Sequence, residues 1–416
     1  MNLFEEFEWR GMVAEMTEGV RDALATERVT AYIGFDPTAS SLHIGNLLTV
    51  MGLARLQKFG HTPIALVGGG TGMIGDPSGK SQERNLLSAQ QIDVNVTGVR
   101  AQLERFLDFN PADNAATIVN NADWLGAIDL LSYLRDVGKH FTVNYMLQKE
   151  SVSRRMESAD GISYTEFSYL ILQAYDFLQL FDRRHCTLQM GGTDQWGNIT
   201  AGIELIRRVR AKKAHGLVWP LLKTAAGSKF GKTEAGTVWL DPRRTSERDF
   251  YQFWLQSDDR DVINYLKVFT WLDRAEIERF ERAVIDDPSA RAAQRRLAEE
   301  VTRTVHGETA VVQAQGDAAL RFGGALSAES LQQVAPTASV PSEQITSGMT
   351  ATELLLIAGL AKSKSEAFRL IEQGAVLIND VPVTDPRAAI SMEQALGNRF
   401  KVSKGKRGVS IVEVTP

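Results

Sequence analysis

A chain of 416 residues with 44 % apolar side chains is long enough for two to three domains with real cores. Its net charge of −5 excludes a global positive field for nucleic acid, so any RNA contact must rest on local basic patches. The single cysteine, Cys186, excludes an internal disulfide framework and a cysteine-based zinc site, and no run approaches the ~18 apolar residues of a membrane span; a soluble protein of a reducing cytoplasm is expected.

The spacing of Phe4, Phe7, Met12, Val13, Met16, Val20 and Leu24 predicts one amphipathic helix over residues 2–28. Residues 29–33 read as a short buried strand. Gly34 breaks it, Asp36-Pro37-Thr38 turns the chain, and Ser40 or Ser41 can cap a helix carrying His43, Gly45 and Asn46 in its first turns. Such a strand, turn and helix start place backbone N–H groups and a positive helix end where an anion can sit. His43 and Asn46, three apart, share a face, and Gly45 lets a flat group approach the backbone.

Residues 62–67 form a second buried strand. Alternating strands and helices predict a parallel α/β sheet with ligands beyond the carboxyl ends of its strands. Two phosphate-binding patterns follow. GTGMIG at 70–75 matches the dinucleotide fingerprint, with Asp93 at about the right distance for a ribose, and leaves an NAD-dependent oxidoreductase open; residues 75–81 fall one residue short of a P-loop. The same loop offers Asp76, Lys80 and Arg84. Helices are predicted over 90–107 and 124–137, with an apolar-rich stretch at 141–149.

Ser163-Tyr164-Thr165-Glu166 is a capping-box pattern opening a helix to residue 180. Within it Tyr169, Gln173 and Asp176 fall at i, i+4 and i+7 on one polar stripe. A strand at 188–190 leads into Gly191-Gly192, then Asp194 and Gln195. Residues 207–232 turn basic and end in Lys229-Phe230-Gly231-Lys232-Thr233, where two lysines three apart around a glycine can close on a triphosphate. Residues 246–322 read as helical, 323–347 as a linker poor in charge, and the rest as a small module with a turn at Asn379-Asp380.

In this order the stretches resemble class I aminoacyl-tRNA synthetases, and among them the tyrosyl enzymes of bacterial type. YIGFDPTASSLHIGNLL at 32–48 is similar to the HIGH region, TEFSYLILQAYDF at 165–177 to the helix that holds the amino acid, and KFGKT to the KMSKS loop. SKSEAFRLIEQGAVLIND at 363–380 resembles an RNA-binding domain shared with a small-subunit ribosomal protein. Asn46 replaces the last histidine of HIGH, and its amide can still donate. Ile33 stands where some relatives carry a small polar residue near the ribose, so that contact is expected to be absent.

The resemblance implies an α/β fold: a Rossmann-like parallel-sheet catalytic domain over 1–220, a linker with the KFGKT loop over 221–245, an α-helical anticodon-side domain over 246–322, a linker over 323–347, and a small α+β RNA-binding domain over 348–416. It implies activation of L-tyrosine by ATP, with Mg2+ carried by the nucleotide and no protein metal site, then transfer of tyrosyl to tRNA(Tyr). It also implies a homodimer, with 141–149 near the interface. Thr38, His43, Lys80, Arg84, Lys229, Lys232 and Thr233 would act on the phosphates. Tyr32 and Asp176 would hold the phenol; Asp76, Tyr169 and Gln173 the ammonium group; and Gln195 would sit near the carboxylate. Gly34, Asp36, His43, Gly45, Asn46, Thr49, Gly192, Asp194 and Lys232 would line the adenylate, and Arg369, Arg399, Lys401, Lys404, Lys406 and Arg407 would face RNA. A tryptophanyl enzyme of the same fold fits Tyr32 and Asp176 less well. A non-catalytic RNA-binding paralogue would not need His43, Lys229 and Lys232, and an oxidoreductase leaves KFGKT unexplained.

Overall fold

The computed structural model describes residues 1–416 except 79–86, 111–112, 158–160, 228–229, 234–235, 323–327, 333, 335 and 406–407, and except the side chains of 232–233, 317–322 and 329–330. Two compact units emerge. One comprises Met1–Ser246 and Phe253–Val301, the other Glu247–Gln252 and Thr302–Pro416.

Among the described residues, the first unit is built on a six-stranded sheet of β1 (Glu15–Met16), β2 (Thr30–Phe35), β3 (Thr62–Val67), β4 (Thr117–Asn120), β5 (Leu188–Gly192) and β6 (His215–Trp219). The order is β1-β6-β5-β2-β3-β4, all parallel except the edge strand β1. Strands buried on both faces read as continuous apolar runs, as TPIALV of β3 does. From β2 the chain winds outward to β3 and β4, then crosses back to β5 and β6. That reversal opens a crevice beyond the carboxyl ends of β2 and β5, where Gly34, Gly191 and Gly192 lie.

The amino-terminal expectation is corrected. Residues 2–28 form two short helices, Leu3–Trp9 and Val20–Thr26, with β1 between them. Gly11 (φ 72°) and Gly19 (φ 92°) take left-handed backbone, which ends the first helix and starts the second. The expected helix at 124–137 is likewise broken, into Ala122–Leu125, Leu130–Ser132 and a π turn at Tyr133–Val137. The helix at Ile44–Lys58 is capped by His43, not by Ser40 or Ser41. Ser41 is committed elsewhere: its hydroxyl donates to Leu42 O (2.7 Å) and accepts from Asp241 N (3.2 Å). The helix Tyr164–Arg184 begins at Ser163 as expected, but Glu166 completes no reciprocal cap. Its carboxylate forms a buried pair with Arg155 (2.8 Å).

Residues 253–301 were expected in a separate helical domain, yet they belong to the first unit. Two buried guanidinium groups account for this. Arg55 donates to Val268 O (2.8 Å), Thr270 O (2.7 Å) and Lys267 O (3.3 Å), at the carboxyl end of helix Asp259–Phe269. Arg10, paired with Glu6, reaches Lys267 O and Leu272 O. Carbonyls left over at a helix carboxyl end, with the negative end of its dipole, favour such cations. Burial, reinforced by the neighbouring Arg10 charge, lowers Arg55 to about 9, so it stays protonated at neutral pH. Arg55→Met leaves these carbonyls without their donor and is expected to cost about 3 kcal/mol of stability, read from urea unfolding.

In the second unit a five-stranded sheet runs β11-β10-β12-β13-β9 among the described residues: β9 (Ala338–Pro341), β10 (Val376–Ile378), β11 (Val381–Pro382), β12 (Arg399–Lys404) and β13 (Gly408–Thr415). Helices Ala351–Ile357 and Lys364–Glu372 share its core with Phe400 and Val412. Part of the stretch expected as a linker over 323–347 is structured among the described residues. β9 lies parallel to β13, Val340 is buried, and Leu331 O and Val334 O accept from Arg399. A four-residue edge strand, ASVP, carries too little apolar pattern to be read as one. The hairpin of β7 (Lys232–Thr233) and β8 (Gly236–Thr237) belongs to the first unit.

Candidate active site

A cavity of about 440 Å³ opens at the crevice between β2 and β5. One end is dry. Tyr32 on β2 is 1 % exposed, and its hydroxyl meets no partner among the described residues. Asp176, from the long helix Tyr164–Arg184, accepts from Trp124 Nε1 (2.7 Å) and Asn121 Nδ2 (2.9 Å). Burial pushes its carboxyl up to about 7 even though both donors favour the charged form. Burial and the nearby Asp176 charge hold the Tyr32 phenol well above its usual value. A hydroxyl-bearing ring entering here would find an acceptor in Asp176 and a donor in Tyr32.

Asn121 and Thr71 extend this network. Asn121 accepts from Gly70 N (2.8 Å) and donates to Thr71 Oγ1 (2.9 Å). Thr71 and Tyr169 both donate to Asp36, at 2.8 and 2.7 Å. Asp36, expected on the adenylate, thus ties the turn after β2 to the long helix. The GTGMIG fingerprint opens no long helix: Thr71–Met73 is a single 3-10 turn, and Asp93 is exposed on Ala89–Leu103. Among the described residues the cradle a dinucleotide needs is therefore not formed.

Next along the cavity is a polar ring. Asp76 accepts from Gln195 Nε2 (2.8 Å) and Ser78 N (2.9 Å). Gln173 donates to Gln195 Oε1 (3.1 Å), and Asn198 donates to Gln173 Oε1 (2.9 Å) and Ser78 Oγ (3.3 Å). A carboxylate framed by oriented carboxamides suits an ammonium group. Asn198 and Ser78 were missed by sequence reasoning because neither lies on the stripe of Tyr169, Gln173 and Asp176.

The far end is lined by Gly34, Thr38, His43, Gly45, Asn46, Thr49, Gly192 and Asp194. Asn46 Oδ1 accepts from His43 N (3.1 Å), which fixes the helix start. A side chain at position 45 would bring its Cβ within 2.8 Å of the His43 ring, so glycine is what leaves the imidazole its place. Trp239 meets that ring edge-on at 6.0 Å, and the Arg244 guanidinium stacks 3.4 Å above Trp239. Within KFGKT, Phe230 is stacked on Phe269 (5.2 Å) and packed on Tyr265 (4.9 Å) and Trp254 (5.7 Å). Gly231 takes φ 86°, and its carbonyl accepts from Val238 N, whose own carbonyl accepts from Ile44 N (3.0 Å). The loop's backbone is thereby fastened beside His43. Lys80, Arg84, Lys229, Lys406 and Arg407 lie outside the described residues, as do the side chains of Lys232 and Thr233.

Residues 24–322 match the model of the tRNA synthetases class I (W and Y) family, and 353–394 match the S4 domain. The chain belongs to the class I tRNA synthetases of the W and Y type. A tyrosine–tRNA ligase from Roseiflexus castenholzii (strain DSM 13941 / HLO8) is 52 % identical over 99 % of both chains, and one from Bacillus caldotenax is 51 % identical over 98 % of both. A C-terminally truncated mitochondrial tyrosyl-tRNA synthetase of Aspergillus nidulans superposes with a TM-score of 0.70 at 31 % identity, covering 77 % of this chain and 94 % of that one.

In this class I synthetase three of the basic residues expected on RNA, just beyond the matched S4 residues, have partners within the chain. Arg399 is paired with Glu413 (2.7 Å), and Lys401 is buried against Asp380 (2.7 Å). Lys404 donates to Leu360 O (3.0 Å) and Glu366 (3.2 Å). Arg399 and Lys401 share one face of β12 and Lys404 lies on the other, and each meets a partner within the chain, which a count of charges does not reveal. Arg369 is different: it is exposed and lines a groove with Lys364, Phe368 and Arg387.

Proposed function

We propose that this class I synthetase joins L-tyrosine to tRNA(Tyr) in two steps. The chain is an aminoacyl-tRNA ligase, and the observation that supports tyrosine is the buried pair of Tyr32 and Asp176, a donor and an acceptor facing one dry end of the cavity. In the first step the tyrosine carboxylate, already ionised at neutral pH, attacks the α-phosphorus of ATP. The bond to the bridging oxygen breaks, pyrophosphate leaves, and tyrosyl-adenylate remains. In the second step a hydroxyl of the tRNA terminal ribose attacks the tyrosyl carbonyl carbon, its proton passes to solvent or the departing phosphate, and AMP leaves with the electron pair. Neither step needs a protein nucleophile, so the chain's task is positioning and charge stabilisation.

Asp76, Tyr169 and Gln173 orient the ammonium group, and Gln195 lies beside the carboxylate. Gly34, Gly45, Asn46, Thr49, Gly192 and Asp194 surround the adenylate. Thr38 and His43 donate to the departing phosphates, Lys80, Arg84, Lys229 and Lys232 neutralise pyrophosphate and Thr233 donates to it, with Mg2+ arriving on the ATP. The test is exchange of labelled pyrophosphate into ATP with each of the twenty amino acids and no tRNA. Exchange with tyrosine alone is expected; exchange with tryptophan would overturn the roles of Tyr32 and Asp176.

Two further readings belong to this proposal. Leu130, Leu131, Val143 and Tyr164 are apolar or aromatic side chains left 59 to 76 % exposed, and Val143 lies within the segment 141–149. A homodimer covers them, and sedimentation should give twice the chain mass, reduced to one chain by Leu131→Asp. The S4 region binds tRNA(Tyr) through Arg369 and its groove. Removing 338–416, so that β9 leaves with its sheet, should preserve adenylate formation and reduce tRNA charging by at least tenfold. Among the described residues no helix is long and apolar enough to cross a membrane, and we place the enzyme in the cytoplasm with its tRNA.

A further inference from the structure

We infer that Phe230 is a positioning residue for adenylate formation, one that sets where the lysines of KFGKT stand relative to His43. This rests on the two-step reading above, in which those lysines meet pyrophosphate.

A loop built for a triphosphate should be polar, yet KFGKT carries a phenylalanine that is only 9 % exposed. Its ring sits in a cage of other aromatic rings, all within the first unit. Phe253 and Trp254 lie at 5.9 and 5.7 Å, and Tyr265 and Phe269, from helix Asp259–Phe269, at 4.9 and 5.2 Å. Trp254, Tyr265 and Phe269 are themselves buried. Edge-on, tilted and stacked contacts of this kind fix both the place and the orientation of a ring.

One residue on, the backbone is held as well. A Cβ at Gly231 would come within 2.9 Å of Ile44 Cγ1, in the first residue of the helix that His43 caps. In sequence Lys229 precedes Phe230 and Lys232 follows Gly231, so both lysines leave from this clamp.

The cage is tied in turn to the helix that starts at His43. Arg55, on helix Ile44–Lys58, donates to Val268 O and Thr270 O, on either side of Phe269. The contacts therefore close a ring. They run from Ile44 to Gly231, through Phe230 to Phe269, through Thr270 to Arg55, and along one helix back to Ile44. Close packing around such a ring holds the loop at a fixed depth. Reacting groups misplaced by about 1 Å can lose about 10²-fold in rate.

The test is the rate constant of single-turnover tyrosyl-adenylate formation, which does not depend on how much of the protein is folded, together with equilibrium binding of tyrosine. Phe230→Ala empties the cage and should slow adenylate formation by roughly 10- to 10²-fold with tyrosine binding unchanged. Phe230→Leu fills part of the cage and should lose less. In a Lys232→Ala background, replacing Phe230 by alanine should cost no more than about threefold, because a charge that it positions is gone. An unchanged rate constant in Phe230→Ala, an equal loss of tyrosine binding, or the same loss with and without Lys232 overturns the inference. If Phe230→Ala does not fold, Phe230→Leu takes the same tests and decides. Any of these results beside a wild-type enzyme active with tyrosine sinks this inference only; no adenylate from the wild-type enzyme would sink the tyrosine reading with it.

Discussion

Asp176→Ala is expected to lower tyrosine-dependent pyrophosphate exchange by roughly 10²–10³-fold or more while the chain stays folded. The carboxylate receives Trp124 Nε1 and Asn121 Nδ2 and has lone pairs left for the phenol. Alanine leaves those two donors and the incoming hydroxyl unpaired where water is excluded, and each such group costs about 1–3 kcal/mol. Unchanged exchange would show that the phenol binds elsewhere. The pH profile adds an independent reading. Accepting the phenol proton requires the ionised carboxylate, and burial raises Asp176 to about 7. Below that pH, tyrosine binding must expel a proton, so kcat/KM for tyrosine should fall by up to about tenfold per pH unit and level off above 7. Stability runs the other way at this residue. A raised folded value means its contribution to folding is fully present below the ordinary carboxyl range and is lost as pH rises through 7. Asp176→Asn should remove both trends.

His43→Ala is expected to slow adenylate formation by about 10²–10³-fold with tyrosine binding unchanged, as loss of one preorganised donor to developing charge does. The imidazole is held from several directions: its residue caps helix Ile44–Lys58, Gly45 lies under the ring, and Trp239 meets its edge. Gly45→Ala tests the same placement with His43 intact, because the added Cβ would stand 2.8 Å from the ring. Single-turnover adenylate formation and equilibrium binding of tyrosine separate the two effects. Equal loss of both would place His43 in ground-state binding instead.

The second unit raises a different point. The resemblance to an RNA-binding domain implies six basic residues facing RNA, and of these Arg399, Lys401 and Lys404 are paired with Glu413, Asp380 and Glu366. Arg369 and its groove are the better place to look for tRNA contact. Alanine at Lys401 tests stability more than charging.

Short-range pattern was enough for much of this protein. The stripe of Tyr169, Gln173 and Asp176 is legible because helical geometry fixes which residues three and four apart share a face. The turn after β2 is legible only in part: Gly34, expected to break the strand, stays within β2, and the helix cap falls at His43 and not at Ser40 or Ser41. What the sequence could not disclose are groups whose role depends on a partner far along the chain. Asn121, Trp124 and Thr71 look ordinary until the fold sets them against Asp176 and Asp36, 35 to 55 residues away. Arg10 and Arg55 look like surface charges until they meet carbonyls more than 200 residues on, which draws residues 253–301 into the catalytic unit. β9 looks like linker until β13 supplies its hydrogen bonds. In each case the deciding energy is a buried polar group finding its partner, and that pairing exists only once the tertiary structure has brought the two together.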